Sequence, residues 1–187
     1  MKIAETILPG VYVIEPHVHA DARGFLLETW HATRYAQARL PAQFVQSNHS
    51  RSIRGTLRGL HYQLTHPQGK LVWVVQGRVF DVAVDLRVGS PTFGRWISES
   101  LSEDNHRQLY VPPGVAHGFC TVSEHADVLY HCTECYVPED EHGVRWNDPQ
   151  LAIPWPLTEP LLSEKDRAYP LLDAIPPEHL PRVRVER

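Results

Sequence analysis

The apolar residues of this chain come in short runs, each cut within a few positions by glycine or proline, and that pattern points to β-structure throughout. The clearest run is Phe80-Asp81-Val82-Ala83-Val84-Asp85-Leu86, whose apolar residues alternate with Asp81 and Asp85 around the small Ala83. Residues 70–75 precede it across Gln76-Gly77-Arg78, so the two runs are expected to be neighbouring strands of a hairpin. Further strands are expected at 97–101, at 109–111 ending on Pro112-Pro113-Gly114, at 117–122 and at 128–136. One short helix fits residues 32–40, stopped by Pro41, and a helical turn fits 163–168, opened by Ser163 as its cap. From about residue 154 to 187 the chain is proline-rich and is expected to wrap the surface. Many short alternating strands make the fold class all-β, a closed or sandwiched architecture such as a jelly roll, whose mouth can hold a ligand.

At 187 residues and 42% hydrophobic content, the chain suits a single domain spanning 1–187. A formal net charge of -4 without a polycationic run gives no support to a nucleic-acid or membrane partner, although local arginines could still serve an anionic ligand. The 3 cysteines make a poor disulfide framework, and Cys132 and Cys135 lack the second pair that a structural zinc site needs. The first residues show no signal-peptide apolar region, and no apolar run is long enough to cross a bilayer, so the expected location is the cytoplasm.

Two segments carry chemistry. The first is Gly55-x5-His61-x-Gln63-x6-Lys70-x6-Gly77, and the second is Pro112-x-Gly114-x2-His117. Their spacing resembles the two motifs of the cupin superfamily, a jelly-roll barrel whose metal-binding members place two His and a Glu in the first motif and a His in the second. Here Gln63 replaces the second His, and Lys70 is the charged residue where a Glu would stand. An ammonium has no lone pair to offer a cation and repels it, so no metal is expected. A His, a Lys and a second His directed to one pocket suit proton transfer beside a carbonyl. A carbon acid needs a base within reach of its C–H and a positive group where the enolate oxygen forms. His61 and Lys70 can fill those roles, and Tyr130 can return a proton from the opposite face. Taken singly, a His on a strand such as His61 is more often a packed or surface residue than a catalyst, and a Tyr such as Tyr130 is more often a core residue.

At these residues the sequence resembles the dTDP-4-dehydrorhamnose 3,5-epimerase family. The likeness rests on Asp21-Ala22-Arg23-Gly24-Phe25, on the run from Gln46 to Ser52, and on Gly55-Thr56-Leu57-Arg58-Gly59-Leu60-His61-Tyr62-Gln63. It continues through Lys70-Leu71-Val72, Phe80 to Arg87, Gly89 to Gly94, Ala116-His117-Gly118-Phe119, Tyr130 to Pro138, Trp146 to Pro149, Ile153 to Pro156 and Leu162-Ser163-Glu164-Lys165-Asp166. The resemblance implies a jelly-roll homodimer with no metal and no organic cofactor. It implies His61 as general base paired with Asp166, Lys70 at the enolate oxygen and Tyr130 as far-side acid. By the same resemblance Arg23, Glu28, Gln46, Asn48, Arg58, His117, Tyr136 and Lys165 contact the nucleotide sugar, with arginine suited to a diphosphate. Without it, Asp166 reads as a solvated turn residue, and Arg23 and Arg58 as surface salt-bridge partners. Strand period 2 places Tyr130 and Tyr136 on one strand face, and by analogy the strand near 11–14 could exchange between subunits. Ser47 stands where the family often has an acidic residue, and Cys120 and Cys132 are also less usual there.

The resulting expectation is an isomerase acting at C3 and C5 of dTDP-4-keto-6-deoxyglucose on the way to the L-rhamnose precursor. A relative that epimerises one carbon only, in another deoxysugar pathway, is the nearest alternative. A metal-dependent cupin oxygenase and a non-catalytic sugar-binding module are more distant ones.

Overall fold

The computed structural model describes residues 1–183. In chain order the elements are β1 (Lys2–Glu5), β2 (Tyr12–Glu15), β3 (Val18–Asp21), β4 (Gly24–Leu27), α1 (Ala32–Gln37), β5 (Gln46–Ile53) and β6 (Leu57–Gln63). They continue as β7 (Lys70–Gln76), β8 (Arg78–Asp85), β9 (Trp96–Ser102), β10 (Gln108–Val111), β11 (Val115–Thr121), β12 (His125–Cys132), β13 (Glu141–Gly143) and α2 (Glu164–Ala168). Six strands form one antiparallel sheet in the order β1-β2-β10-β7-β12-β5, and five form the second in the order β13-β6-β11-β8-β9. From β5 onward the chain passes repeatedly between the two sheets, staying in one only at the β8–β9 pair, which is the jelly-roll arrangement expected from the pattern of short strands.

The expected hairpin between residues 70–75 and 80–86 is not formed. β7 pairs with β10 and β12, whereas β8 pairs with β11 and β9 in the opposite sheet. The chain crosses between sheets at Gly77, whose φ is +75°, and a Cβ there would lie 2.1 Å from the His125 carbonyl oxygen. Only glycine permits that corner. Two other expectations are shortened. The last strand ends at Cys132, because the chain then bends so that the Thr133 N–H bonds the Gly69 carbonyl at 2.9 Å. The helix expected over 32–40 ends at Gln37, and Arg39 takes a φ of +62° ahead of Pro41.

Three apolar clusters hold the layers together. Val72, Val74, Val79, Ala83, Leu101, Leu109, Phe119 and Val128 meet between the sheets. The outer face of the five-stranded sheet, with Val82, Val84, Leu86 and Ala116, is covered by Leu151, Ile153, Leu172 and Ile175 of the C-terminal wrap. The outer face of the six-stranded sheet is covered by Tyr35 and Leu40, which pack on Ile14, Leu71, Trp73 and Tyr110. β8 is therefore apolar on both faces, and its two aspartates point inward, fully buried. Asp85 is held by Arg87, Ser90 and Thr92. One end of the inter-sheet space is left open.

The β3–β4 hairpin stands apart from both sheets. It carries Phe25 and Leu26 at 62% and 73% exposure. The strand expected to exchange between subunits, β2, pairs within its own chain with β1 and β10.

Candidate active site

The open end of the barrel encloses a cavity of about 440 Å³ whose walls belong to different sheets. On β5 the usual pattern is inverted. Gln46, Asn48, Ser50 and Ser52 turn inward while Ile53 is exposed, because the inner face of this strand meets the polar cavity and not the apolar interior. The neighbouring β12 sets Tyr130 opposite Asn48 on β5 and Cys132 opposite Lys70 on β7. The six-stranded sheet thus supplies Lys70 and Tyr130.

The five-stranded sheet supplies the histidines. His61 on β6 lies opposite His117 on β11 in register. That pairing needs close backbone approach beside it: a Cβ on Gly59, whose φ is +128°, would fall 2.5 Å from the Gly118 Cα. The segment Leu57-Arg58-Gly59-Leu60-His61 is therefore a steric device that sets His61 on the cavity wall. His61 Nε2 bonds the Asp166 carboxylate. Asp166 sits in the first turn of α2, where its N–H donates to the Ser163 hydroxyl at 3.0 Å and that hydroxyl donates back to its carboxylate at 2.7 Å. Burial alone would raise the Asp166 carboxyl, but the bond and charge of His61 and the Ser163 hydroxyl outweigh it and hold the group below the ordinary aspartate value. The acid stays ionised and fixes the imidazole.

Burial pushes the Tyr130 phenol up, assisted by Cys132 and opposed by Arg58, so it keeps its proton at neutral pH. Burial pushes the Lys70 ammonium down, and Cys132, Glu141 and Asp81 oppose that shift. A base with an oriented imidazole and a protonated phenol therefore face one cavity from opposite sheets, with an ammonium beside the phenol. This arrangement can take a proton from one face of a small ring and deliver one to the other. At the rim, Arg58 and Lys165 add two further cations to the lining.

The whole chain can be placed among known proteins on this basis. A family model for dTDP-4-dehydrorhamnose 3,5-epimerase matches residues 5–174. The chain belongs to the dTDP-4-dehydrorhamnose 3,5-epimerase family. A relative of that name from Pseudomonas aeruginosa is 54% identical over 169 residues, covering 89% of this chain and 93% of the relative. A dTDP-4-dehydrorhamnose 3-epimerase from Streptomyces niveus is 44% identical over 174 residues, covering 92% of this chain and 84% of the relative. The crystal structure of a dTDP-6-deoxy-D-glucose-3,5-epimerase from Legionella pneumophila Philadelphia 1, in complex with dTDP-4-keto-L-rhamnose, superposes with a TM-score of 0.95 at 49% identity, covering 98% of this chain and 99% of that one. The chain is thus an isomerase of the carbohydrate-epimerase class.

Within this epimerase, ten of the twelve residues singled out from the sequence line one cavity: His61, Lys70, Tyr130, Asp166, Gln46, Asn48, Arg58, His117, Tyr136 and Lys165. Arg23 and Glu28 do not line it. Arg23 lies in the turn of the β3–β4 hairpin, paired with Asp21 at 2.6 Å and 91% exposed, and Glu28 pairs with Arg34 at 2.8 Å. The physical reason is that the hairpin joins neither sheet and carries both residues off the barrel. Tyr136 does reach the cavity, but not along a strand face shared with Tyr130. The loop after Cys132 delivers it, braced by Gln63, whose side chain bonds the His66 and Cys135 carbonyls at 2.6 and 3.1 Å and accepts the Val137 N–H at 2.9 Å. Gln63 is thus the anchor of that loop.

Glu141 escaped the sequence reading. It lies on β13, which pairs with β6, and its carboxylate is 2.5 Å from Lys165 Nζ, 2.8 Å from the Tyr169 hydroxyl and 3.8 Å from His61 Nε2. Burial would raise it, but His61, Lys165, Tyr169 and Tyr136 hold it below the ordinary glutamate value. In the run Glu139-Asp140-Glu141 it resembles a solvated acidic turn, and a strand of three residues gives no period to reveal its inward face. Among the described residues no group of three or more His, Cys, Asp or Glu is disposed around a common point where a metal ion could be held.

Proposed function

We propose that this chain inverts C3 and C5 of dTDP-4-keto-6-deoxyglucose, in the formation of dTDP-4-keto-L-rhamnose. The observation that carries the reading is the placement of His61 and Tyr130 on opposite sheets across one cavity, with Lys70 beside Tyr130. His61 takes the proton from the carbon beside the C4 ketone. The electron pair moves onto O4 as an enolate, which the Lys70 ammonium stabilises in a site sheltered from water. The enolate collapses as Tyr130 gives its proton to the same carbon from the other face. The tyrosinate and the imidazolium then return to their starting states by proton exchange with solvent, and the same groups treat the second carbon. Asp166 orients His61 and balances its charge. No step calls on a metal or an organic cofactor.

Arg58 and Lys165 at the rim suit the diphosphate, and Gln46, Asn48, His117 and Tyr136 complete the contacts to the nucleotide sugar. Arg23 and Glu28 fit the same ligand if the chain is a homodimer in which the hairpin of one copy reaches the cavity of its partner. The exposed Phe25 and Leu26 give that hairpin an apolar face to bury. A nucleotide-sugar substrate is what supports a cytoplasmic location, and residues 1–187 are read as one catalytic unit. Because the Streptomyces niveus relative is a 3-epimerase at 44% identity, inversion of one carbon is the second reading.

The test is the ring configuration of the product, read from proton couplings by NMR after full conversion, with the sedimentation coefficient of the enzyme measured at the same concentration. Inversion at both carbons by a dimer is expected. Inversion at C3 alone selects the second reading, and unchanged sugar contradicts both.

A further inference from the structure

β13 carries a glycine directly opposite His61. Gly143 is the register partner of His61 on β6, and a Cβ there would lie 2.7 Å from the Tyr169 ring and from the Leu60 carbonyl oxygen. The space is taken by Tyr169, which ends α2 and follows Asp166 in that short helix. Its side chain is buried, and its ring packs edge-on against the His61 imidazole, with centroids 5.5 Å apart and planes at 62°. Its hydroxyl donates to Glu141 Oε1 at 2.8 Å. The chain just after β13 fastens its backbone: Arg145 Nε donates to the Tyr169 carbonyl at 3.0 Å, and the Arg145 N–H donates to the Pro170 carbonyl at 2.8 Å. Tyr169 does not line the cavity, so its effect on the reaction passes through His61 and Glu141.

We propose that Tyr169 is a positioning residue for the epimerisation: its ring seats the His61 imidazole, and its hydroxyl holds the Glu141 carboxylate off His61 Nε2, so that Nε2 bonds Asp166 alone. The inference rests on the epimerase reading given above. Two carboxylates stand near Nε2. Asp166 is bonded to it, whereas Glu141 Oε1 is 3.8 Å away, beyond hydrogen-bond length. That same oxygen is the one engaged by the Tyr169 hydroxyl and by Lys165 Nζ, the latter at 2.5 Å. The two donors differ in what else they serve. The Lys165 side chain is half exposed and is assigned, with Tyr136, to the nucleotide sugar, so a bound diphosphate competes for its ammonium. Tyr169 is enclosed and faces no ligand, so its bond to Glu141 persists when substrate is bound. Burial and the Glu141 charge push the Tyr169 phenol up, which keeps it a donor. A carboxylate released from that bond competes with Asp166 for the Nε2 proton, tilts the ring and favours the imidazolium over the neutral base. His61 is faced by Asp166 on α2, Glu141 on β13, Tyr169 and its register partner His117 on β11. Glu141 is faced by His61, Lys165, Tyr169 and Tyr136, and its charge also reaches Lys70 on β7 and Tyr130 on β12.

Tyr169→Phe keeps the ring and removes the donor. The acid limb of the kcat profile, where the base gains a proton, is expected to move to higher pH by about one unit, the scale on which one nearby carboxylate acts. On that limb kcat falls by about tenfold, and hydrogen exchange and inversion fall together because both begin at His61. The KM for the nucleotide sugar and the Kd for dTDP stay within about threefold. In a Glu141→Gln background the same substitution leaves the limb where Glu141→Gln alone puts it, because no carboxylate remains to be released. A lower melting temperature with the limb unmoved is the mark of a purely structural role, and it overturns the inference; so does a limb that moves equally in both backgrounds. Turnover by the wild type in the same pH series decides the epimerase reading separately. If the wild type does not turn over, an NMR titration of the His61 ring in wild type and Tyr169→Phe reads the same shift without substrate, and a ring that titrates at one pH in both overturns the inference. If the variant does not fold, proton NMR of the wild type still decides. A slowly exchanging Tyr169 hydroxyl proton supports the inference, and a freely exchanging one overturns it.

Discussion

Replacing His61 with alanine is expected to lower kcat by about 10³-fold or more and to abolish hydrogen exchange at both carbons of the substrate, since a general base at a carbon acid contributes on that scale. The imidazole is held on the cavity wall by Asp166, and the other nearby carboxylate does not replace it as a base. Glu141 stands 3.8 Å from His61 Nε2, but Lys165 and Tyr169 already engage it and keep it a weak base. Binding of dTDP should survive, because Arg58, Lys165, Gln46 and Tyr136 are untouched. The fold should survive too, at a cost of about 1–3 kcal/mol for leaving Asp166 buried without His61, which a thermal melt reads directly. Rates for the variant within tenfold of the wild type would show that the base lies elsewhere.

Tyr130→Phe should separate two events that the wild type couples. His61 can still remove a proton, exchange it with solvent and return it to the same face, so deuterium enters the substrate without inversion. Inversion itself should drop by about 10²–10³-fold, the loss associated with a missing general acid, while exchange falls less than about tenfold. The phenol is pushed up by burial, so the wild-type group is protonated and ready to donate across the working pH range. Measuring both rates in one heavy-water NMR series checks this. Equal losses of exchange and inversion would remove Tyr130 from the far face, and no loss of either would remove it from the reaction.

Much of this arrangement is legible in the sequence, and the parts that are not have physical causes. Alternation located most strands, but it could not say which face is inside. Along β8 alternation sets Asp81 and Asp85 on one face without saying which; in the fold both are buried, and the valines between them pack outward under the C-terminal wrap. Two runs flanking one glycine look the same whether the chain folds back as a hairpin or crosses to another sheet. The crowding of Gly77 against His125, distant in sequence, decides for the crossing. Tyr136 reached the expected wall by a different route, along a loop that Gln63 braces through three backbone contacts invisible in the sequence. His61, Lys70, Tyr130 and Asp166 were found because a family pattern tied them together across 105 residues between His61 and Asp166, a separation that no local period spans. Glu141 lies outside the matched motifs, and Asp81, although inside the matched run from Phe80 to Arg87, looks there like any alternating polar residue; their burial in the fold brings both out. Arg23 and Glu28 lie on a hairpin that one copy of the chain does not fold onto its own cavity.

The central claim is that one base and one acid, facing each other across the barrel mouth, invert two carbons through enolates. The most direct test is proton NMR of dTDP-4-keto-6-deoxyglucose with the wild-type enzyme in heavy water. Deuterium entering at both C3 and C5 is the predicted result, because each inversion replaces the abstracted proton with one drawn from solvent. Absence of deuterium at both carbons while the enzyme binds dTDP would contradict the account.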